Sequence, residues 1–225
     1  EDYFFAACCI DYARFNQLIR PLTGLVKKTD RVCIKAPGTE LTFSIKGMGY
    51  EEPICGKNNL PCGEVGIPVI PESVNGSIAY NIPSFFQGCL FRDIHFHLEN
   101  GRIVKATSSE NTERLNRILD TDENARRIGE FAVSFNPYIT EPILDTLFDE
   151  KMAKSIHFTP GNSLVNPSAI HWDIVQSHAA EYGGGEIWFD GVLIRKDGLF
   201  IPEALQQLNP ELLKAAVSAY KERGR

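Results

Sequence analysis

From residue 3 to residue 28, apolar side chains (Phe4, Phe5, Cys8, Tyr12, Phe15, Leu18, Ile19, Leu22, Leu25) return at three- and four-residue steps. This spacing predicts an amphipathic helix that Pro21 kinks or splits. The period then drops to two. Residues 31–36 and 40–45 alternate on either side of Pro37-Gly38 and predict a hairpin. From 47 to 76 proline and glycine recur too often for long elements, leaving a loop region with a short extended piece at 65–69. Alternation resumes at 76–80, 93–98 and 103–106, the last two joined through Asn100-Gly101. Residues 108–111 open a helix through Leu115, Ile118 and Leu119, and Asp122 caps a short helical segment towards Ile128. Residues 141–154 read as a helix, 186–195 as an Asp-Gly hairpin, and 202–223 as a helix pair broken at Pro210. Strands joined by hairpins rather than helical crossovers predict an α+β fold, with a largely antiparallel, barrel-like sheet and flanking helices.

Two stretches place polar chemistry on these strands. In residues 129–135 the large apolar side chains share one face, leaving Glu130 with Ala132 and Ser134 on the other, so a carboxylate has small neighbours and room for a ligand. Residues 155–173 read as two short strands around a turn-rich loop. There His171 and Asp173 share one face while Ile170, Trp172 and Ile174 take the opposite one, and His157 stands between Ile156 and Phe158 just before Pro160-Gly161. Glu64 adds a carboxylate beside Gly63. Imidazoles and carboxylates together suit zinc, cobalt or iron, and five such donors are enough for two ions sharing a bridging hydroxide.

The bulk numbers narrow the partners. At 225 residues and a net charge of -6, the chain can bury a sizeable core and has no basic surface with which to attract nucleic acid or anionic membrane. No apolar run has the length of a membrane span and no signal pattern begins the chain, so a cytoplasmic location is expected. The six cysteines (Cys8, Cys9, Cys33, Cys55, Cys62, Cys89) show no metal-finger spacing and are expected to be reduced, with Cys62 in a loop near the site.

Specific motifs then point to a family. Residues 59–65 (NLPCGEV), 74–76 (VNG), 99–102 (ENGR), 128–130 (IGE), 149–151 (DEK), Ile156-His157, 169–173 (AIHWD) and Asp190-Gly191 resemble, in order, the M29 (thermophilic aminopeptidase T) family of metallo-aminopeptidases. The similarity runs from about Tyr12 to Gly198. It implies that Glu64 and Glu130 are the glutamate ligands, His157 the first histidine ligand, and His171 with Asp173 the His-x-Asp pair. It also implies two divalent ions (zinc, cobalt, manganese or magnesium), a peptide substrate with a free N-terminus, proton transfer by Glu64 or Glu130, and a homodimer. Apolar stretches at 82–86 and 212–220 agree with self-association. By the same resemblance residues 1–225 are a single metal-bearing catalytic domain, the family's N-terminal α/β domain having no counterpart here. The family's loop tyrosine is also missing, and Leu164 stands nearest to its place.

Other features carry blander readings. His95-Phe96-His97 could bind a metal but lacks an acidic partner with small neighbours. Asn75-Gly76-Ser77, a glycosylation triplet, is expected to be a turn before a strand, and Gly183-Gly184-Gly185 precedes a strand rather than the helix a phosphate loop needs, so a mobile loop is expected. Two histidines and one carboxylate can also form the mononuclear iron site of a ring-opening dioxygenase. A non-catalytic peptide-binding module is the third reading.

Overall fold

The N-terminal helical pattern is cut into three pieces. In the computed structural model, which describes residues 2–50 and 59–218, α1 (Asp2–Cys8), α2 (Tyr12–Leu18) and α3 (Arg20–Val26) stand where the periodicity predicts one kinked helix. Asp11 makes the first break by accepting the Arg14 N–H as an N-cap. Pro21 lies in the first turn of α3, where a missing N–H costs no helical bond, so it starts a helix instead of bending one.

The strands follow as β1 (Arg31–Ala36), β2 (Thr39–Ser44), β3 (Glu64–Pro68), β4 (Asn75–Ala79), β5 (Ser84–Phe86), β6 (Cys89–Phe91), β7 (His95–Glu99) and β8 (Arg102–Thr107). After α4 (Thr112–Leu119) come β9 (Ile128–Ser134), α5 (Thr146–Asp149), β10 (Ser155–Pro160), β11 (Val175–Ser177), β12 (Glu186–Phe189), β13 (Val192–Lys196), β14 (Leu199–Phe200) and α6 (Pro210–Val217). One sheet has eight strands in the order β14-β13-β12-β1-β2-β4-β7-β8, a second has four in the order β11-β10-β9-β3, and β5 pairs with β6. Every ladder among the described strands is antiparallel, as expected. The barrel expectation is corrected: β14 and β8 end the large sheet without pairing to each other, so it stays open.

The two larger sheets pack face to face. Phe43 of β2 meets Phe131 of β9 and Phe158 of β10, each with ring centroids 5.1 Å apart. Val65, Ile67, Val133 and Ile156 join the same apolar layer. Arg195 of β13, 1 % exposed, crosses to the smaller sheet and donates to the backbone oxygens of Ser155 and Ser134. Among the described residues no helix is long and apolar enough to cross a membrane.

Further corrections concern local elements. Residues 122–126 form a bend and turns, not a helix, and β9 begins at Ile128. Asp122 spends its carboxylate on Asn124 N–H, Ala169 N–H and the Ser168 hydroxyl. The helix expected over 141–154 shrinks to α5, and the 202–223 pair becomes a 3-10 turn followed by α6, the rest lying outside the described residues. Asn75-Gly76-Ser77 lies inside β4, not in a turn before it. Cys8, Cys9, Cys33 and Cys89 are free, whereas Cys62 is disulfide-bonded, because tertiary approach that spacing does not encode decides pairing. Cys55 is outside the described residues. Among the described residues of the stretches at 82–86 and 212–220, Ile82, Leu213 and Val217 are buried and Phe86 stacks on Trp172, whereas Phe85 and Leu212 are exposed; residues 219 and 220 lie outside the described residues.

The glycine triplet is closely packed. A Cβ on Gly185 would lie 2.6 Å from the ring of His178, which is fully buried. Gln176 donates to Thr39 and Ala79, so its Oε1 accepts from His178 Nε2 and Nδ1 is left without a hydrogen-bond partner. Burial, with the nearby Arg195 charge, pulls His178 down to about 3. Between that value and the unfolded value near 6.5 the unfolded chain binds the extra proton, so stability is complete above pH 6.5 and falls as pH drops through this window. In His178→Asn, the slope of unfolding free energy between pH 6 and 4 should be shallower by up to about 1.4 kcal/mol per pH unit. Urea unfolding at three pH values measures it, and an unchanged slope would refute the assignment.

Candidate metal centre

The smaller sheet displays its polar face as three rows. Glu64, Ser134 and Ser155 are aligned across β3, β9 and β10; Gly66, Ala132 and His157 form the next row; Pro68, Glu130 and Thr159 form the third. Small residues in the middle row leave open space between the two carboxylates, while the alternate residues, such as Val65, Phe131 and Ile156, enter the apolar layer. The rows open on a cavity of about 520 Å³ whose lining includes Glu64, Glu130, Glu150, His157, His171 and Asp173. All five residues singled out in the sequence therefore border one space.

They do not meet equally. One ligand atom each from Glu130, His171 and Asp173 lies within 4.8 Å of the others. His157 Nε2 points towards the same spot, 3.9 Å from Glu130 Oε1 and 3.8 Å from Asp173 Oδ1. Glu64 stands on the other edge of that ring, with Oε2 3.6 Å from His157 Nδ1 and Oε1 3.0 Å from Lys151 Nζ. Its Oε2 is buried without a hydrogen-bond partner.

Backbone oxygens set both imidazoles. His157 Nδ1 lies 3.1 Å from the Glu150 oxygen and His171 Nδ1 lies 2.7 Å from the Asn162 oxygen, so each Nδ1 donates to a backbone oxygen and each Nε2 is turned towards the carboxylates. Thr159 donates to Asp173 Oδ1 at 2.7 Å, and His171 Nε2 approaches that atom at 3.2 Å. Burial lowers the His157 pKa, but Glu64, Glu130 and Asp173 outweigh it and the net direction is upward. The Asp173 hydrogen bond lifts His171 to about 9. Burial raises Asp173, yet His171 and His157 hold it well below the carboxylate range. A cation is thus wanted among these groups, and two imidazoles with the carboxylates of Glu64, Glu130 and Asp173, the first with an unpaired Oε2, fit a divalent ion.

The His-x-Asp pair is not on a strand as expected. His171 makes an isolated bridge with Gly161, and β11 starts only at Val175. A pinned loop holds it: Asn166 donates to the oxygens of Gly161 and Asn124, and Asp122 grips Ser168 and Ala169. Leu164, 79 % exposed, lies at the cavity mouth with Leu147. His95 and His97 face elsewhere, on the large sheet, where His97 meets Ser77 and Glu99. Sequence reasoning missed Lys151 and Glu150 as site residues. The 149–151 motif was visible, but a turn has no period from which to assign its side chains.

The model of the thermophilic metalloprotease (M29) family matches residues 15–200. The chain belongs to this family. Aminopeptidase T of Thermus thermophilus is 38 % identical over 104 residues, covering 44 % of this chain and 26 % of that protein. Aminopeptidase T of Thermus aquaticus is 32 % identical over 145 residues, covering 59 % and 35 %. The matched stretches thus span between about a quarter and a third of the length of these relatives. Among solved structures, wild-type AmpT from Thermus thermophilus superposes with a TM-score of 0.71 at 24 % identity, covering 87 % of this chain and 57 % of that one. A 2,5-dihydroxypyridine dioxygenase from Pseudomonas putida has a TM-score of 0.72 at 12 % identity, covering 90 % and 63 %. These two likenesses concern the fold alone.

Proposed function

We propose that this M29 chain is the metal-bearing catalytic domain of an aminopeptidase that uses two divalent ions held by Glu64, Glu130, His157, His171 and Asp173. The observation that carries the reading is the meeting of Glu130, His171, Asp173 and His157 Nε2 at one cavity that Glu64 also lines, with its Oε2 unpaired. Bound there, the ions would lower the pKa of a water towards about 7 and stabilise the oxyanion of the scissile carbonyl. The chain's own residues do the rest. Glu130 or Glu64 accepts the water proton and returns it to the leaving amine, and the pinned loop keeps His171 oriented. Zinc, cobalt, manganese and magnesium all suit the mixed donor set. A homodimer rests on the family resemblance, and light scattering at micromolar concentration reads it.

The test has two arms, of which metal content comes first because the chain spans only part of its relatives. Elemental analysis after loading should find up to two divalent ions per chain. Leucyl chromogenic amides should be cleaved and their acetylated forms ignored, because a blocked amine is no longer a metal ligand. Equal cleavage of both forms would sink the aminopeptidase reading. The compact Glu130, His171 and Asp173 group keeps a second reading in play, a mononuclear iron oxygenase, and uptake of one iron alone would promote it.

A further inference from the structure

Lys151 is fully buried, yet its Nζ meets two carboxylates of the cavity wall, Glu64 Oε1 at 3.0 Å and Glu150 Oε1 in closer contact. We propose that Lys151 is a positioning residue: it takes one oxygen of Glu64, so that this glutamate presents a single oxygen, Oε2, to a divalent ion. The inference rests on the metal reading above and adds how one ligand is held.

Three observations converge on it. Glu64 Oε2 is buried without a hydrogen-bond partner although polar groups surround it, because His157 Nδ1, at 3.6 Å, is directed to the Glu150 oxygen instead. Lys151 has its own backbone fixed, its N–H donating to the Phe148 oxygen and its oxygen accepting from Asn136 N–H. Asn136 in turn donates to the Cys62 oxygen, just ahead of Gly63 and Glu64, and a Cβ on Gly63 would lie 2.4 Å from the Asn136 Cβ. The backbone that presents Glu64 and the side chain that grips it are thus braced through the same asparagine. Adjacent Glu150 uses its carbonyl to orient His157 and to accept from the Ser134 hydroxyl. One turn therefore orients two of the site's side chains from behind, as outer groups orient metal ligands.

Removing Lys151 alone would free Glu64 but also change the local charge and strand Glu150 without its partner, three effects in one variant. The double variant Lys151→Met with Glu150→Gln removes one positive and one negative charge together. Its net charge is unchanged, and what remains is the lost grip on Glu64. Titration of the metal-free chain with cobalt(II), followed by calorimetry and by the visible spectrum of the bound ion, reads the result. The dissociation constant should rise about tenfold or more, in the range typical of lost outer ligand supports. The spectrum should also change, because Glu64 is no longer restricted to one oxygen, and a changed spectrum at unchanged affinity supports the proposal equally. Weaker binding with an unchanged spectrum would mark a merely structural role and overturn it, as would affinity within about twofold of wild type with an unchanged spectrum. If the double variant does not fold, Lys151→Gln with Glu150→Gln, also unchanged in net charge, polar at both positions and too short to grip Glu64, is judged by the same criteria. A wild-type chain that takes up no cobalt overturns the metal reading and this inference together, whereas uptake with unaltered variants overturns this inference alone.

Discussion

Replacing His171 with alanine is expected to abolish divalent-ion retention and amide cleavage together while leaving the fold stable. The His171 side chain is 42 % exposed, and among the described residues its polar partners are the Asn162 oxygen and Asp173, so truncation removes little packing. Stability should stay within about 0.5 kcal/mol, as for most surface changes. The functional loss is another matter. Asp173 and Glu130 would keep only His157 as an imidazole companion, and losing a direct donor should exceed the roughly 10- to 100-fold effect of losing an outer support. Glu130→Ala should do the same from the centre of β9, where its carboxylate lies between both histidines. His95→Ala, on the other sheet, should be nearly silent. Metal analysis, thermal melting and turnover on one set of proteins decide the matter, and full ion content in His171→Ala and Glu130→Ala would remove these residues from the site.

Gly161→Ala should produce the largest loss of stability for a single methyl group at the site. Gly161 has a φ of +96°, a region that strains any side chain, and its Cβ would lie 2.2 Å from the backbone oxygen of Ile170. That oxygen cannot retreat freely, because it accepts the Asn162 N–H at 2.5 Å, and Gly161 is itself tied to Arg127 and Asn166. Backbone strain costs about 1–3 kcal/mol and overpacking a further 1–3 kcal/mol, so a loss of at least about 2 kcal/mol is expected. Gly161 bridges to His171, so the shift that relieves the clash should also misplace Nε2 and weaken ion uptake. Denaturant unfolding checks the first effect and cobalt titration the second. A loss under about 1 kcal/mol would show that the loop yields easily.

The parts of the site that were legible in the sequence are those whose side chains obey a period. Glu130 could be placed opposite Phe131 and beside Ala132 because strand side chains alternate, and β9 kept that alternation with every residue buried. His171 and Asp173 share a face for the same reason, although the chain there is only extended and not a strand. Where tertiary capture overrides local pattern, the reading failed. Ile143, Leu144, Leu147 and Phe148 have helical spacing, yet the Asp149 carboxylate accepts the N–H groups of Ile143 and Leu144 and draws them out of a helix, leaving Leu144 at a φ of +63°. Sheet closure was equally out of reach, because it depends on whether β8 and β14 meet, and no alternation within a strand carries that information. Lys151 resembles any other lysine until the fold buries it against Glu64.

The alternation of side chains along β9 also penalises errors of strand register. Slide that strand by one residue against β10 and every side chain changes sides: Glu130 enters the layer occupied by Phe43 and Phe158, while Phe131 fills the space between the carboxylates. Misregistered chains would therefore lose the candidate site and pack poorly at once, with a carboxylate stranded in apolar surroundings. Folding cannot deliver a well-packed sheet whose candidate ligands point the wrong way, so the aromatic layer acts as a proofreader for the candidate metal site on the other face of the sheet.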